Sequence, residues 1–141
     1  MPLTLDIVTP GGRARSARVD ALTLPTAEGE IGILPGHIPL MTMLDACELS
    51  LTHDGATEFL VVGPGFAEIT GDRVCVLAEH AIDEDQIDPG YAEEARLRAE
   101  QALQGGSKMP PEEVQQLEAL LKFSVAELAT SHRGRRYLRR R

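Results

Sequence analysis

Over roughly the first eighty positions, apolar residues fall in short alternating runs separated by turn residues, with no helix-length segment of 3.6-residue period. Leu3, Leu5 and Ile7 alternate ahead of Thr9-Pro10-Gly11-Gly12; Val19, Leu22 and Leu24 lead to Pro25; Leu49 and Leu51 precede His53-Asp54-Gly55. Asp-Gly between two alternating runs predicts a hairpin, because the favoured two-residue turn needs positive φ at both central positions. Phe59–Val62, Phe66–Ile69, a Gly71-Asp72 turn and Val74–Leu77 continue the series. Strands this short and evenly spaced predict a β-sandwich or barrel.

The period changes at Asp88. Asp88 is a suitable N-cap and Pro89 a suitable first helical residue, since the N–H that proline lacks has no intrahelical partner there. Glu93 and Glu94 are expected near the positive end of the helix dipole. Ala92, Ala95, Ala99 and Ala102 form a small-residue stripe, and Gly105-Gly106 closes the segment. Pro110-Pro111-Glu112-Glu113 starts a second helix, carrying Val114, Leu117, Leu121, Val125 and Leu128 at intervals of three or four and expected to end at His132 before Gly134. Two amphipathic helices with a short Gly/Ser/Pro link predict an antiparallel hairpin, so the chain divides into a β-domain over 1–86 and a helical hairpin over 87–141.

Composition sharpens this division. Trp is absent and aromatic residues are few, so the core has to be aliphatic. No run approaches the roughly 20 apolar residues that span a bilayer, and Met1-Pro2-Leu3-Thr4 enters a strand directly, so neither membrane insertion nor a leader is expected. Cys47 and Cys75 lack ligand or disulfide spacing and read as small apolar residues. The net charge of −8 is unevenly distributed: Arg133, Arg135, Arg136, Arg139, Arg140 and Arg141 close the chain, and the preceding body holds eight basic against twenty-two acidic residues. A cationic tail on an acidic body suits an anionic protein surface and disfavours nucleic acid, whose phosphates repel the body.

A catalytic constellation is not found. His37, His53, His80 and His132 are scattered without metal-ligand spacing. Glu28 and Glu30 have no pocket to perturb them, and Gly63-Pro64-Gly65 lacks the Lys-Ser/Thr of a phosphate loop. The chain reads as a non-enzyme without cofactor or metal.

The most distinctive segment is Gly29-Glu30-Ile31-Gly32-Ile33-Leu34-Pro35-Gly36-His37-Ile38-Pro39-Leu40. Its glycines and prolines impose a stiff, kinked course expected to expose Glu30 and His37 and to turn Ile33, Leu34 and Leu40 inward. By turn chemistry alone it is either a corner between two sheets or a loop held rigid for docking. This segment closely resembles the signature of the epsilon subunits of bacterial and chloroplast ATP synthases, called delta in mitochondria. Val19–Pro25, Gly65-Phe66-Ala67-Glu68-Ile69 and Val76-Leu77-Ala78-Glu79 resemble further family segments in the same order.

The resemblance implies a ten-stranded β-sandwich followed by the two-helix hairpin, acting as a non-catalytic rotor subunit that binds gamma and rests on the c-subunit ring of a proton-translocating synthase. It carries Glu30 to the c-ring contact, with Ile31, Gly32, Pro35, Gly36 and His37 on the same rotor-facing edge. It implies a hairpin that either folds beside the sandwich or extends toward the alpha and beta subunits, where the arginine tail meets acidic loops and hydrolysis is inhibited. A second helix of about twenty residues reaches roughly 30 Å when extended. The implied location is peripheral, on the cytoplasmic face of a bacterial membrane or the stromal face of a thylakoid. Some members bind ATP through an Ile/Leu-Asp-x-x-Arg-Ala motif; here Ile87, Asp88 and Ala92 match, but Tyr91 replaces the Arg. The second helix offers only Lys122, with Phe123 and Glu127 near where those members carry basic residues, which argues against ATP binding. The rival reading is an adaptor whose sandwich presents an Arg-tailed hairpin to some other acidic protein.

Overall fold

The computed structural model describes residues 2–26, 29–105 and 109–139, with side chains described throughout these ranges except at 25, 47 and 132–139. Ten strands form two five-stranded sheets. They are β1 (Leu3–Thr9), β2 (Gly12–Val19), β3 (Ala21–Thr26), β4 (Gly29–Ile33), β5 (His37–Leu44), β6 (Cys47–His53), β7 (Ala56–Val62), β8 (Gly65–Gly71), β9 (Arg73–Ala78) and β10 (Ala81–Asp83). The first sheet has the order β2-β1-β9-β8-β5 and the second β10-β7-β6-β3-β4, with β1 and β9 parallel and the other pairs antiparallel.

Alternation sends one side of each strand into a shared core. Leu3, Leu5 and Ile7 of β1, Leu49 and Leu51 of β6, and Val74 and Val76 of β9 are fully or almost fully buried together. The buried core cluster is aliphatic throughout, as the composition requires. Asp54 and Gly55 both have positive φ, 51° and 78°, and join β6 to β7 in the two-residue turn that Asp-Gly predicts.

The open edges are closed in two ways. At one, the chain passes from β4, an edge strand of the second sheet, to β5, an edge strand of the first. At the other, Arg15 of β2 points inward and forks to Glu58 of β7 and to Asp83 of β10, the latter at 2.8 Å. Its partial burial opposes the charge, but the bonds to Glu58 and Asp83 prevail and hold the guanidinium protonated. An inward-facing charge also discourages another strand from pairing with this edge.

Beyond β10, a 3-10 turn (Glu84–Gln86) leads to α1 (Pro89–Gly105) and α2 (Pro111–Arg139). The helices pack on each other, and α2 also packs on β6, β7 and the 3-10 turn. Glu93 and Glu94 stand beyond the first turn of α1, so they do not meet the dipole end as expected; Glu93 instead pairs with Arg96, which also bonds Glu100 at 2.7 Å. The second helix does not stop at Gly134. One interior glycine costs only about 1 kcal/mol against alanine, and the Arg, Tyr and Leu after it are compatible with a helix.

Gly65 fixes the approach of β8 to β9. A Cβ there would lie 1.8 Å from the Leu77 carbonyl oxygen and 2.8 Å from the Ala78 Cα, both backbone atoms of the paired strand. Gly65→Ala is therefore expected to destabilise the chain by about 3 kcal/mol, read as a lowered urea midpoint with unchanged slope; a loss below about 0.5 kcal/mol would show that β8 and β9 can separate freely.

Candidate functional site

The signature segment occupies both edge strands and the crossing between them. His37 N–H donates to the Leu34 carbonyl at 3.2 Å, Gly36 takes φ of 81°, and its N–H donates to Asp72 Oδ1 at 2.8 Å, anchoring the corner to the β8–β9 turn. Pro39 sits where the β5–β8 register shifts, on an edge strand that tolerates a missing donor. The segment is thus a corner between the two sheets. Glu30 is exposed and pairs in register with Pro25; Ile31 and His37 are half-buried, and Gly32, Pro35 and Gly36 are exposed. His37 Nδ1 donates to the Ile38 carbonyl at 2.6 Å. Ile33 turns inward as expected, whereas Leu34 and Leu40 do not, with 63% and 39% of their surface exposed. Leu34 lies in the crossing, outside either strand's alternation, and the register shift at Pro39 turns Leu40 outward.

These exposed apolar residues continue onto the outer face of the first sheet. Met43 of β5 pairs with Phe66 of β8, Phe66 with Leu77 of β9, and Leu77 with Val8 of β1, giving one apolar row across four adjacent strands. Met43, Phe66 and Leu77 are about half to two-thirds exposed, and Met41 extends the patch. A groove of about 530 Å³ runs along the row and is bounded by Pro10 and Pro64. Sequence reasoning confined the docking edge to residues 30–37 and missed this face. The available signal was apolar residues on both sides of a strand: Phe66 beside Ala67, Met43 beside Leu44, and Leu77 between Val76 and Ala78.

The outer face of the second sheet carries the hairpin. Val61 of β7, which pairs with Glu48 of β6 and Ile82 of β10, is fully buried although it stands outside the sandwich core. Among the described side chains of α2, the buried ones are Ser124, Glu127 and Thr130, all polar and spaced about one turn apart. Thr130 donates to Glu48 Oε2 at 2.5 Å, and Lys122 Nζ bonds Asp45 Oδ2 at 2.9 Å, while Phe123 tilts against His80 with ring centroids 5.6 Å apart. The hydrogen bond from Lys122 lowers the pKa of Asp45, and burial raises that of Glu127.

The residues matching the nucleotide motif have structural tasks. Ile87 and Ala92 are buried, and Asp88 Oδ1 accepts from the N–H groups of Gly90 and Tyr91 at 3.0 and 3.3 Å as the N-cap of α1. Tyr91 points into solvent, with 67% of its surface exposed. The side chains of Arg133, Arg135, Arg136 and Arg139, and the whole of Arg140 and Arg141, lie outside the described residues. Asp20, His53 and Asp54 cluster at one turn, but the carboxylates approach opposite ring nitrogens of His53, at 3.9 and 3.2 Å, which suits ion pairing rather than a shared cation. No helix among the described residues is long and apolar enough to cross a membrane.

Residues 2–84 match the family described as "ATP synthase, Delta/Epsilon chain, beta-sandwich domain". The ATP synthase epsilon chain of Herpetosiphon aurantiacus is 38% identical over 131 residues, covering 91% of this chain and 96% of its own. Among solved structures, a chain of the Euglena gracilis mitochondrial ATP synthase (OSCP/F1/c-ring) superposes with a TM-score of 0.74 at 22% identity, over 91% of this chain and 80% of that one. A chain from the central stalk and c-ring of the Tetrahymena thermophila mitochondrial enzyme gives a TM-score of 0.52 at 12% identity, over 62% and 70%.

Replacing Asp88 with Ala removes both capping bonds of α1. The expected loss is about 1 kcal/mol of helix stability, seen as reduced amide protection over residues 90–94; protection equal to the parent chain would assign the entry of α1 to packing alone.

Proposed function

The chain belongs to the ATP synthase delta/epsilon family, and from that premise we propose that it joins gamma to the c-subunit ring in the central stalk of a proton-translocating synthase. It is a subunit of an enzyme and not itself a catalyst. The observation that carries the proposed gamma contact is the uncovered apolar row Val8, Leu77, Phe66 and Met43. A row of this kind, continuous with a stiff corner, suits a permanent protein partner, because a lone sandwich gains nothing by leaving it in water.

In this reading gamma covers the row, and Glu30, with Ile31, Gly32, Pro35, Gly36 and His37 around it, meets the polar loops of the c-ring at the adjoining edge. The hairpin, when it leaves the second sheet, extends toward alpha and beta, and the arginines from Arg133 to Arg141 meet acidic loops there to oppose hydrolysis. The subunit is peripheral, on the cytoplasmic face of a bacterial membrane. Ile87, Asp88 and Ala92 serve the structure of the hairpin and carry no nucleotide in this reading.

Introducing Met43→Asp and Phe66→Asp together places two charges in the row while leaving the core untouched, and gamma binding is expected to weaken by roughly 100-fold or more by titration. Unchanged affinity would remove gamma from this face. Ending the chain after His132 is expected to raise ATP hydrolysis by the assembled complex severalfold with assembly intact; unchanged hydrolysis would deprive the tail of any inhibitory role.

A further inference from the structure

The seam between the hairpin and the sandwich has an unusual composition. An amphipathic helix ordinarily buries its apolar stripe, and α2 does half-bury Leu117, Leu121 and Leu128; among its described side chains, the most buried are nonetheless Ser124, Glu127 and Thr130. Thr130 is satisfied by Glu48, but Ser124 Oγ is buried without a hydrogen-bond partner, and only 7% of Glu127 is exposed. Each unsatisfied or desolvated polar group opposes docking, and a carboxylate opposes it far more than a neutral acid.

The charged neighbours do not offset this. Around α2, β6 brings Glu48, the acceptor of Thr130, the 3-10 turn brings Glu84 and Asp85, β7 brings Glu58, which Arg15 holds, and His80, the residue before β10, lays its ring against Phe123. On α1, Arg96 is held by Glu93 and Glu100, and Arg98 lies 3.6 Å from Glu94. On α2 itself, Glu112, Glu113 and Glu118 are acidic, and Lys122 is bonded to Asp45. Burial alone accounts for the perturbation of Glu127, and the cations among the described residues of the hairpin, Arg96, Arg98 and Lys122, are engaged with other carboxylates.

We propose that the hairpin docks on the second sheet with uptake of a proton by Glu127, and that loss of this proton favours its release. The inference rests on reading the hairpin as a mobile regulatory arm. Its sign follows from linkage: burial raises the pKa of Glu127 in the docked arrangement above the ordinary glutamate value. Docking is then strongest below that ordinary value, weakens as pH rises between the ordinary and the docked value, and levels off above the latter. One proton makes the docking constant fall by at most about tenfold per pH unit in that window. Asp45 acts in the opposite sense and at lower pH, because its pKa is depressed by Lys122.

The test uses the isolated full chain, with Cys47→Ser and Cys75→Ser as background and spin labels at Thr57→Cys and Glu118→Cys reporting the distance between β7 and α2. The docked fraction is followed from about pH 4 to about pH 8, a range that brackets ordinary and raised glutamate values. The expected result is a docked fraction that falls with pH in the parent and stays high and flat in Glu127→Gln, while Ser124→Ala raises it at every pH without changing the slope. A parent profile that is flat or rises with pH, or a Glu127→Gln profile that titrates like the parent, overturns the proposal. Should Glu127→Gln fold poorly, the carbon-13 shift of the Glu127 carboxyl in the parent decides between the same outcomes: a midpoint at the ordinary glutamate value overturns the proposal, and a raised one supports it. None of these readings involves gamma or hydrolysis, so a failed latch leaves the rotor assignment standing, and a failed gamma titration leaves the latch standing.

Discussion

A strand that is apolar on both faces has to be covered twice, and this protein has such strands in both sheets. In β7, Leu60 and Val62 enter the shared core while Val61 faces away from it and is still fully buried. The cover for Val61 is the helical hairpin. In the first sheet, Ala67 and Val76 enter the core while Phe66 and Leu77 face outward and stay half in water. The molecule is thus three layers with a fourth position vacant: hairpin, second sheet, first sheet, and a face still open to a partner. That asymmetry fits the proposed orientation of the subunit, with the covered side the one proposed to be regulated and the open side the one proposed to meet gamma.

The cover on the second sheet is attached weakly. Among the described side chains, the seam holds a ring contact, a hydrogen bond from Thr130 to Glu48 and an exposed ion pair, Lys122 with Asp45, of a kind contributing at most about 1 kcal/mol. Against these stand a buried hydroxyl with no partner and a buried carboxyl. Alanine predominates on the face α1 turns to α2, where Ala92 and Ala99 are the buried residues of α1, so the interior between the helices is shallow. An element built from small residues and polar seams opens at lower cost than a core strand, and regulatory motion draws on such elements.

Much of this was legible in the sequence because it is encoded locally. Asp54-Gly55, Asp88-Pro89 and the alternating runs each specify their geometry within a few residues, and the structure forms a turn, a cap and strands there. What the sequence hid depends on where an element lands. Leu34 and Leu40 look like core residues until the crossing and the register shift turn them outward. Val19 reads as continuous with Leu22, yet Asp20 separates two strands that lie in different sheets. Glu127 belongs to the polar side of any helical projection and is buried only because α2 rests against both α1 and a sheet. The apolar row is spread over four segments of chain, and only strand pairing brings Met43, Phe66, Leu77 and Val8 together.

The two edges of the sandwich are closed by different chemistry, and the difference bears on the proposed place of the subunit between gamma and the ring. Away from the signature, Arg15 reaches between the sheets to Glu58 and Asp83. Such a clamp holds the sheets together yet leaves them free to shear, because a long side chain reorients with little strain. At the signature edge the sheets are joined through the chain itself, by a crossing fixed by Pro35, Gly36 with φ of 81° and a hydrogen bond from the Gly36 N–H to the Asp72 carboxylate. Backbone dihedrals confined by proline and by a turn resist shear far more than rotamers do. Under the proposed ring contact, a load entering at Glu30 would pass from β4 to β5 through a corner with few soft torsions, and from β5 along the pairing to Phe66 and Leu77. The covalent crossing and the strand pairing thus join the edge proposed for the ring to the face proposed for gamma, and the edge held by the Arg15 side chain lies outside that path.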